Sequence, residues 1–227
     1  MPTAPLAPPR PSLESPRLRA ELAIASLLIL VAVNLLDIVN SSLDLAVFGG
    51  HLGPGIRGTH FLWSEGRNTL VGVSWLLIAF PASVITISVW VYRAYRNLAA
   101  LGEPARMSPA MAVAWFFIPV ANLWKPYQVM AEIWRKSLQR PAGALFYVWW
   151  TCWLVGSLAG IVQMQFSLRE PSEPASRTLP LVLSFPADLL YIAAALLLIR
   201  IIASVTSAQE QAAKSDALGD RDAAAGK

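Results

Sequence analysis

Cysteine, histidine and charged residues are scarce in this chain, and each shortage excludes a class of protein. Cys152 is the only cysteine, which excludes an intramolecular disulfide and a cysteine-rich metal site. There are two histidines, and the sequence contains no HExxH, GxSxG, P-loop or glycine-rich dinucleotide-binding motif. We therefore expect no catalytic activity, no cofactor and no metal ion.

Charged residues make up 14% of the chain and hydrophobic residues 56%, with a mean hydropathy of +0.51. This balance is typical of a membrane protein and not of a soluble domain. The net charge of +4 does not indicate nucleic-acid binding, because no groove-reading helix, zinc spacing or RNA-binding motif accompanies it. The positive charge is better explained by membrane topology.

Four apolar runs are long enough to cross a bilayer, whose hydrocarbon core of about 30 Å needs about 20 apolar residues per helix. We predict an all-α integral membrane protein with a membrane domain at residues 21–206. The proline-rich tail 1–20 and the charged tail 207–227 hold little apolar content, so both are expected to be disordered. The four predicted spans are residues 22–40, 69–92, 143–166 and 180–203.

The Lys and Arg residues favour one orientation, because positive residues next to spans are retained in the cytoplasm. Four spans place both tails and the central module, residues 93–140, on the same side. That side then holds fourteen of the eighteen Lys and Arg residues. We therefore predict a multi-pass protein with both termini and the module in the cytoplasm.

Within the module, Pro109–Trp124 is apolar but too short to be a fifth span. Its longest apolar run is about a dozen residues, or roughly 18 Å of helix. Pro119 interrupts the stretch, and Pro126 follows shortly after it. We predict a short re-entrant or interfacial segment.

The next stretch, Pro126 to Leu138, has the pattern of an amphipathic helix lying along the inner membrane surface. Its apolar side chains recur at helical spacing, and its polar ones fall between them. The apolar positions are Tyr127, Met130, Trp134 and Leu138, and the polar ones are Lys125, Gln128, Glu132, Arg135 and Lys136.

Arg93 and Arg96 directly follow a span and share a helical face, where two guanidinium groups could hold lipid phosphates. The simpler interpretation, which we favour, is a positive anchor with an aromatic belt. Asn97 and Asn122 are expected to cap helix ends or hold turns in preference to contacting a ligand. The candidate lipid- or partner-binding residues are Arg93, Arg96, Asn97, Trp115, Pro119, Asn122, Trp124, Lys125, Tyr127, Glu132, Trp134 and Arg135.

Polar residues also occur inside the spans, where an ionisable group costs at least about 2.5 kcal/mol. Asp37, with Asn34 one turn before it, and Asp188 lie at similar depth in the first and last spans. If the two aspartates meet, they form a candidate proton or cation site. The alternative, which we favour, is two hydrogen-bonded or snorkelling residues near the interface.

In the third span Cys152, Gly156 and Gly160 form a stripe of small residues at i, i+4 and i+8. Such a stripe lets another helix approach closely, either within the bundle or between copies of the chain. A homo-oligomer or a membrane-protein partner is therefore an open possibility.

Four stretches in and next to the module form a recognisable pattern: YRAYRNL at 92–98, Ser108-Pro109, WFFIPVANLWKPY at 115–127, and Glu132-Ile133-Trp134. They resemble the domain-of-unknown-function 4328 family of bacterial membrane proteins. The resemblance covers roughly residues 70–211 and includes a last span that runs into Gln209. It implies a multi-span protein of the bacterial inner membrane and supplies no activity.

The function predicted from these patterns is non-catalytic: a membrane scaffold, sensor, or lipid- and partner-binding protein that acts through its module. The alternative is a small transporter or ion pathway using Asp37 and Asp188. A membrane enzyme of unknown type is the third possibility.

Overall fold

In the computed structural model the chain is all-helical, and the residues described are 13–48, 70, 72, 75–103, 105–167 and 174–225. Within those residues there are helices and turns but no strand, which confirms the predicted fold class. A π-helical turn, Trp75–Ala79, precedes α2, and a short 3-10 turn, Ala121–Leu123, precedes α4. The α-helices are α1 (Arg17–Phe48), α2 (Phe80–Ala100), α3 (Pro109–Ala114), α4 (Lys125–Leu138), α5 (Ala144–Ser167) and α6 (Pro174–Ala225).

Four of the described helical segments are long and apolar enough to cross a membrane. Between 22% and 39% of their most apolar windows is buried inside the protein. Most of their apolar surface therefore faces outward, which is favourable in lipid and would be costly in water. The fold is that of a multi-pass membrane protein, as predicted. The segments are Arg17–Ala46, Leu77–Ala100, Ala144–Phe166 and Val182–Gly219.

The structure describes parts of both tails that were expected to be disordered. The first helix, α1, already begins at Arg17, and α6 continues without a break to Ala225. Extending an existing helix avoids the cost of nucleation, and the tail after residue 207 is rich in the good helix formers Ala, Gln, Glu and Lys. Residues 1–12 and 226–227 of these tails lie outside the described residues.

Pro81 lies in the first turn of α2, directly after the π-helical turn. Proline has no backbone N–H and its ring clashes with the carbonyl four residues back, so a regular α-helix cannot continue through it undisturbed. A π-helical turn shifts the hydrogen bonds to i→i+5 and so changes the register ahead of the proline. The apolar stretch therefore stays helical across Pro81.

The chain forms two compact units. We call Met1–Ala20, Ser88–Pro141 and Ala203–Lys227 the module unit, and Glu21–Ile87 with Ala142–Ile202 the span unit. The predicted module, 93–140, thus folds together with the start of α1 and the end of α6.

The core of the module unit is built from α2, α4 and α6. The predicted amphipathic helix is confirmed as α4, but Met130, on its predicted membrane-facing side, is buried in this core. Helix α4 therefore turns part of its apolar face towards the protein. The side chains that are almost completely buried are Trp90, Val91, Tyr95, Leu98, Val129, Met130, Ile133 and Val205.

Local sequence ends α2 and starts α3. Gly102 has φ of +76°, and the Glu103 N–H donates to the Leu98 carbonyl at 3.1 Å. This six-to-one bond after a left-handed glycine closes the end of α2. Ser108 then caps α3, because its Oγ accepts from the Met111 N–H at 3.2 Å and Pro109 occupies the first helical position.

Candidate functional site

Arg93 and Asn97 face the inside of the module unit. The Arg93 guanidinium is ion-paired with Glu14, and the residue is 8% exposed. Asn97, in the interior of α2, donates from Nδ2 to the Glu14 carbonyl at 2.9 Å. Arg93 is therefore not a free phosphate ligand beside Arg96. Asn97 was expected to cap a helix or hold a turn, but its side chain bonds to the N-terminal segment instead. Both hold the N-terminal segment against α2.

Gln209 connects three helices at the centre of the same unit. Its Oε1 accepts from Asn97 Nδ2 at 2.9 Å, and its Nε2 donates to the Ala94 carbonyl at 3.0 Å and to Ser137 Oγ at 2.9 Å. The residue is fully buried. A buried amide with this many partners is favourable, whereas each partner left unpaired would be costly.

Glu132 is also internal, although its position on α4 predicted an exposed polar face. Its Oε2 accepts from the Tyr95 hydroxyl at 3.1 Å, and its Oε1 accepts from Lys136 Nζ at 2.7 Å. The Tyr95 oxygen in turn accepts from the Met107 N–H at 3.3 Å. Glu132 therefore links α4 to α2 and to the segment before α3, and its carboxylate is compensated by a cation.

The segment between α3 and α4 presents apolar side chains outward. Phe117, Ile118, Val120, Leu123 and Trp124 are 59%, 39%, 68%, 55% and 45% exposed. Isolated exposed apolar residues are ordinary, but five within eight positions mark a binding or membrane-contact surface. We call residues 117–124 the apolar turn.

Val120 bends the apolar turn through an unusual backbone conformation. Its φ is +66° and its ψ is −56°, and the Ala121 N–H donates to the Pro119 carbonyl at 2.7 Å. This is a γ-turn with positive φ, which is strained for a β-branched residue by about 1–3 kcal/mol. This backbone conformation places the exposed Val120 side chain at the tip of the turn.

Cations and aromatic rings accompany the apolar turn. Lys125 lies over the Trp115 ring, with Nζ 5.1 Å from the ring centroid, which is cation–π geometry. Of the remaining candidates, Arg96, Pro119, Trp124 and Arg135 are exposed, and Asn122, Tyr127 and Trp134 are half-buried. The structure thus separates the predicted set into an internal network and an outer surface.

In the span unit, the structure brings together the two aspartates singled out in the sequence. The carboxyl groups of Asp37 on α1 and Asp188 on α6 lie close together, one turn from the Ser41–Ser184 hydrogen bond between the same helices. Asp188 is buried, its Oδ2 has no partner among the described residues, and Asp37 is half-buried. This proximity fits both expectations, a proton or cation site and two hydrogen-bonded residues near the interface.

Other polar side chains continue from this pair along α1. Ser184 on α6 donates to Ser41 Oγ at 3.0 Å, and Asp44 is fully buried one turn further along α1. Asn34 donates from Nδ2 to the Leu30 carbonyl at 2.7 Å, which satisfies the amide within its own helix. Asn34 is therefore a neighbour of the pair along α1, but its donor is used by the backbone.

The small-residue stripe of α5 packs within the chain. A Cβ added at Gly156 would be 3.2 Å from Leu190 Cβ, and one at Gly160 would be 3.1 Å from the Tyr191 hydroxyl. Glycine at these positions therefore lets α5 and α6 approach closely. Cys152, the third member of the stripe, is half-buried and free.

With this geometry established, comparison with known proteins adds the family. A family model described as Domain of unknown function (DUF4328) matches residues 61–207, more than half of the chain. The chain belongs to the DUF4328 family. This confirms the resemblance seen in the module. Searches of curated proteins and of solved structures found no match. The DUF4328 match supports a membrane protein and assigns no activity.

The functional residues that sequence reasoning missed are those whose partners lie far along the chain. Glu14 was included in a tail expected to be disordered, and Gln209 was seen as the end of a span and not as a buried hub. A signal was present in Gln209 itself, a polar residue one helical turn after Thr206 on the face that continues the last span. Thr206 likewise faces inward, where its Oγ1 accepts from Trp90 Nε1 at 3.1 Å.

Proposed function

We propose that this protein is a non-catalytic membrane protein whose module unit docks on the cytoplasmic leaflet through the apolar turn and recognises anionic lipid. The observation that carries the proposal is the outward presentation of Phe117, Val120 and Trp124 on a strained turn. Burying one large apolar side chain contributes about 1.5–3 kcal/mol, so a few such residues are enough for stable insertion of a segment already tethered by spans.

Positive charge supports an anionic lipid as the partner. Arg96, Arg106, Arg135 and Arg140 are all exposed in the module unit. Near an anionic leaflet, each Lys or Arg contributes about 1 kcal/mol through the surface potential. Apolar insertion and positive charge together fit a lipid surface better than a neutral protein partner.

The distribution of Lys and Arg supports the orientation that this docking requires. With four spans, both termini and the module lie in the cytoplasm of a bacterial cell, at the inner membrane. A module that docks on the inner leaflet and belongs to the same chain as the spans suits a scaffold or a sensor of lipid composition. No reaction is part of this proposal.

The depth of the apolar turn tests the insertion. A nitroxide label is placed at Val120→Cys or Phe117→Cys in the full chain with Cys152→Ser, and the protein is reconstituted in liposomes containing phosphatidylglycerol. We expect the label to collide with oxygen dissolved in lipid more than with a water-soluble nickel complex. A label at Asp216→Cys, exposed in the same unit and not among these cations, is the control and should report water. A turn label that reports water would refute docking.

Lipid retention tests the headgroup. The full chain is purified in mild detergent, and bound phosphatidylglycerol is compared with bound phosphatidylcholine by native mass spectrometry. We expect Arg96→Gln with Arg135→Gln to lose at least half of the phosphatidylglycerol preference, because two exposed cations are removed. Lys214→Gln, exposed in the C-terminal part of α6, is the single-charge control and should retain it. Equal binding of the two lipids by the wild-type protein would contradict recognition of an anionic headgroup, even if the apolar turn inserts into the membrane.

A further inference from the structure

The Asp37–Asp188 pair has a chemical requirement that the proposed lipid docking does not use. An ionised carboxylate only accepts hydrogen bonds, so a bond between two carboxyl groups needs a proton on one of them. Asp37 and Asp188 each lie one helical turn from the Ser41–Ser184 hydrogen bond that joins α1 to α6, so their carboxyl groups are close enough to share one. A proton on one carboxyl group would allow that bond.

The surroundings of the pair favour a proton over full ionisation. No Lys or Arg occurs within ten residues of either aspartate on its own helix. Two neighbouring negative charges in a poorly solvated, apolar region repel each other strongly, and no cation of either helix segment offsets them. Both residues fall in segments that are apolar enough to span a membrane.

A metal ion is a poorer occupant than a proton. Among the residues that the structure describes, no three His, Cys, Asp or Glu side chains are grouped so that they could hold a metal. A divalent cation prefers six or more oxygen ligands, and the two carboxyl groups supply at most four oxygens.

A second observation shows an unused polar atom at the pair. Asp188 is 6% exposed, and its Oδ2 is buried with no hydrogen-bond partner among the described residues. A buried carboxyl oxygen without a partner is costly, so such an atom marks a place for a proton or a water molecule. Asn40, next to Ser41 on α1, likewise has a buried Nδ2 without a partner in the described part of the chain.

Groups able to pass a proton extend from the pair on both helices. The hydroxyl groups of Ser41 and Ser184 are hydrogen bonded at 3.0 Å, and Asp44 follows on the same face of α1. From Asn34 to Asp44 this face covers about 15 Å, or roughly half of the hydrocarbon core. On the other side, Tyr191 on α6 packs against α5 at Gly160.

We propose that Asp37 and Asp188 form a proton-binding site inside the membrane, in which the two carboxyl groups share one proton that exchanges with water. On release, the O–H bond of the protonated carboxyl group breaks, the proton passes to water, and two carboxylates remain. Among the described residues, the titratable groups that act on the pair are Asp44 on α1 and Tyr191 on α6. Helix α5 contributes Tyr147, which is largely exposed, and Cys152, whereas residues 75–87 carry no titratable side chain.

Infrared spectroscopy tests the site in the full chain reconstituted in liposomes. The carbonyl stretching band of a protonated carboxylic acid is recorded at neutral pH in ordinary water and in heavy water. We expect the band in the wild-type protein, with a shift in heavy water because the proton exchanges. Asp37→Asn and Asp188→Asn should each abolish it, because an amide donates to the remaining carboxylate and the shared proton is no longer needed.

Asp216→Asn, exposed in the C-terminal part of α6, is the control and should retain the band. Near-identical melting curves would show that the isosteric variants fold. Absence of the band in the wild-type protein, or its persistence in both variants, would overturn the proposal. A band that does not shift in heavy water would mean a sealed structural proton, and a band removed by sodium ions at constant pH would mean a cation site; either result would also overturn it.

Discussion

At the scale of single residues, the polar side chains of the module unit hold it together. Arg93 pairs with Glu14, Asn97 bonds to Gln209, and Glu132 accepts from Tyr95. Each of these residues is a plausible ligand contact in the sequence, but burial and internal partners give it a structural role. The lipid contact that we propose therefore depends on the exposed residues, above all Arg96 and those of the apolar turn.

Gln209 is the residue whose loss should weaken the module unit most. Gln209→Ala removes the partners of Asn97, the Ala94 carbonyl and Ser137 together. We expect the free energy of unfolding to fall by about 2–4 kcal/mol, because buried polar groups left unpaired cost about 1–3 kcal/mol each and the losses are not fully additive. Denaturant titration in mixed micelles measures the change.

Gln211→Ala is the matched control, because Gln211 is exposed on the same helix two residues further along. It should change the unfolding free energy by less than about 0.5 kcal/mol. Equal losses in the two variants would contradict a central role for Gln209.

Residue roles were predictable where they depend on neighbours in sequence and not where they depend on distant partners. The apolar turn consists of consecutive apolar residues around Pro119, so the sequence predicted a short apolar segment there, and the structure shows that its side chains are exposed. Arg93 has its partner 79 residues away, and Gln209 bonds to a side chain 112 residues away. Periodicity placed Arg93 and Glu132 on helical faces but could not tell which face the rest of the chain covers.

At the scale of elements, α6 shows how far a helix extends beyond its apolar part. The hydrophobic stretch predicted a span of residues 180–203, and the helix runs from Pro174 to Ala225. Hydropathy locates the part of a helix that suits lipid, whereas its end depends on helix propensity and on contacts such as those of Thr206 and Gln209. The same reasoning applies to α1, which begins at Arg17 and passes Asn40 to reach Phe48.

Truncation of α6 tests which part of this helix stabilises the module unit. A chain ending at Gln211 keeps the contacts of Thr206, Gln209 and Glu210, and we expect its melting temperature in detergent to match that of the full chain. A chain ending at Val205 loses all three sets of contacts, among them the bond from Ser15 Oγ to Glu210 at 3.1 Å. It should melt several degrees lower, since a few kcal/mol correspond to such a shift.

Limited proteolysis gives a second measurement of the same prediction. The shorter chain should be cut within residues 93–140 faster than the chain ending at Gln211, because the module unit opens more often once its α6 contacts are gone. Similar cleavage of both chains would show that α6 contributes nothing to this unit.

At the scale of the whole molecule, two kinds of chemistry fall in separate parts of the chain. The module unit contains the exposed cations and the apolar turn, and the span unit contains the carboxyl pair. A lipid-docking surface needs exposure and positive charge, whereas a proton site needs burial and the absence of cations. The same sequence supplies both conditions because its Lys and Arg residues are concentrated outside the spans.

Lipid docking at the cytoplasmic leaflet requires an even number of crossings, and topology is therefore the decisive whole-molecule prediction. Single cysteines are introduced into a Cys152→Ser chain at Asp216, at Arg106 and at Ser172, and intact cells are treated with a membrane-impermeant maleimide. We expect labelling only at Ser172, which falls in the loop between the third and fourth predicted spans. After the cells are opened, Asp216→Cys and Arg106→Cys should label as well, because both positions are exposed. Labelling of Arg106→Cys in intact cells would place the module outside, where the anionic cytoplasmic leaflet is beyond its reach, and would remove the basis for lipid docking.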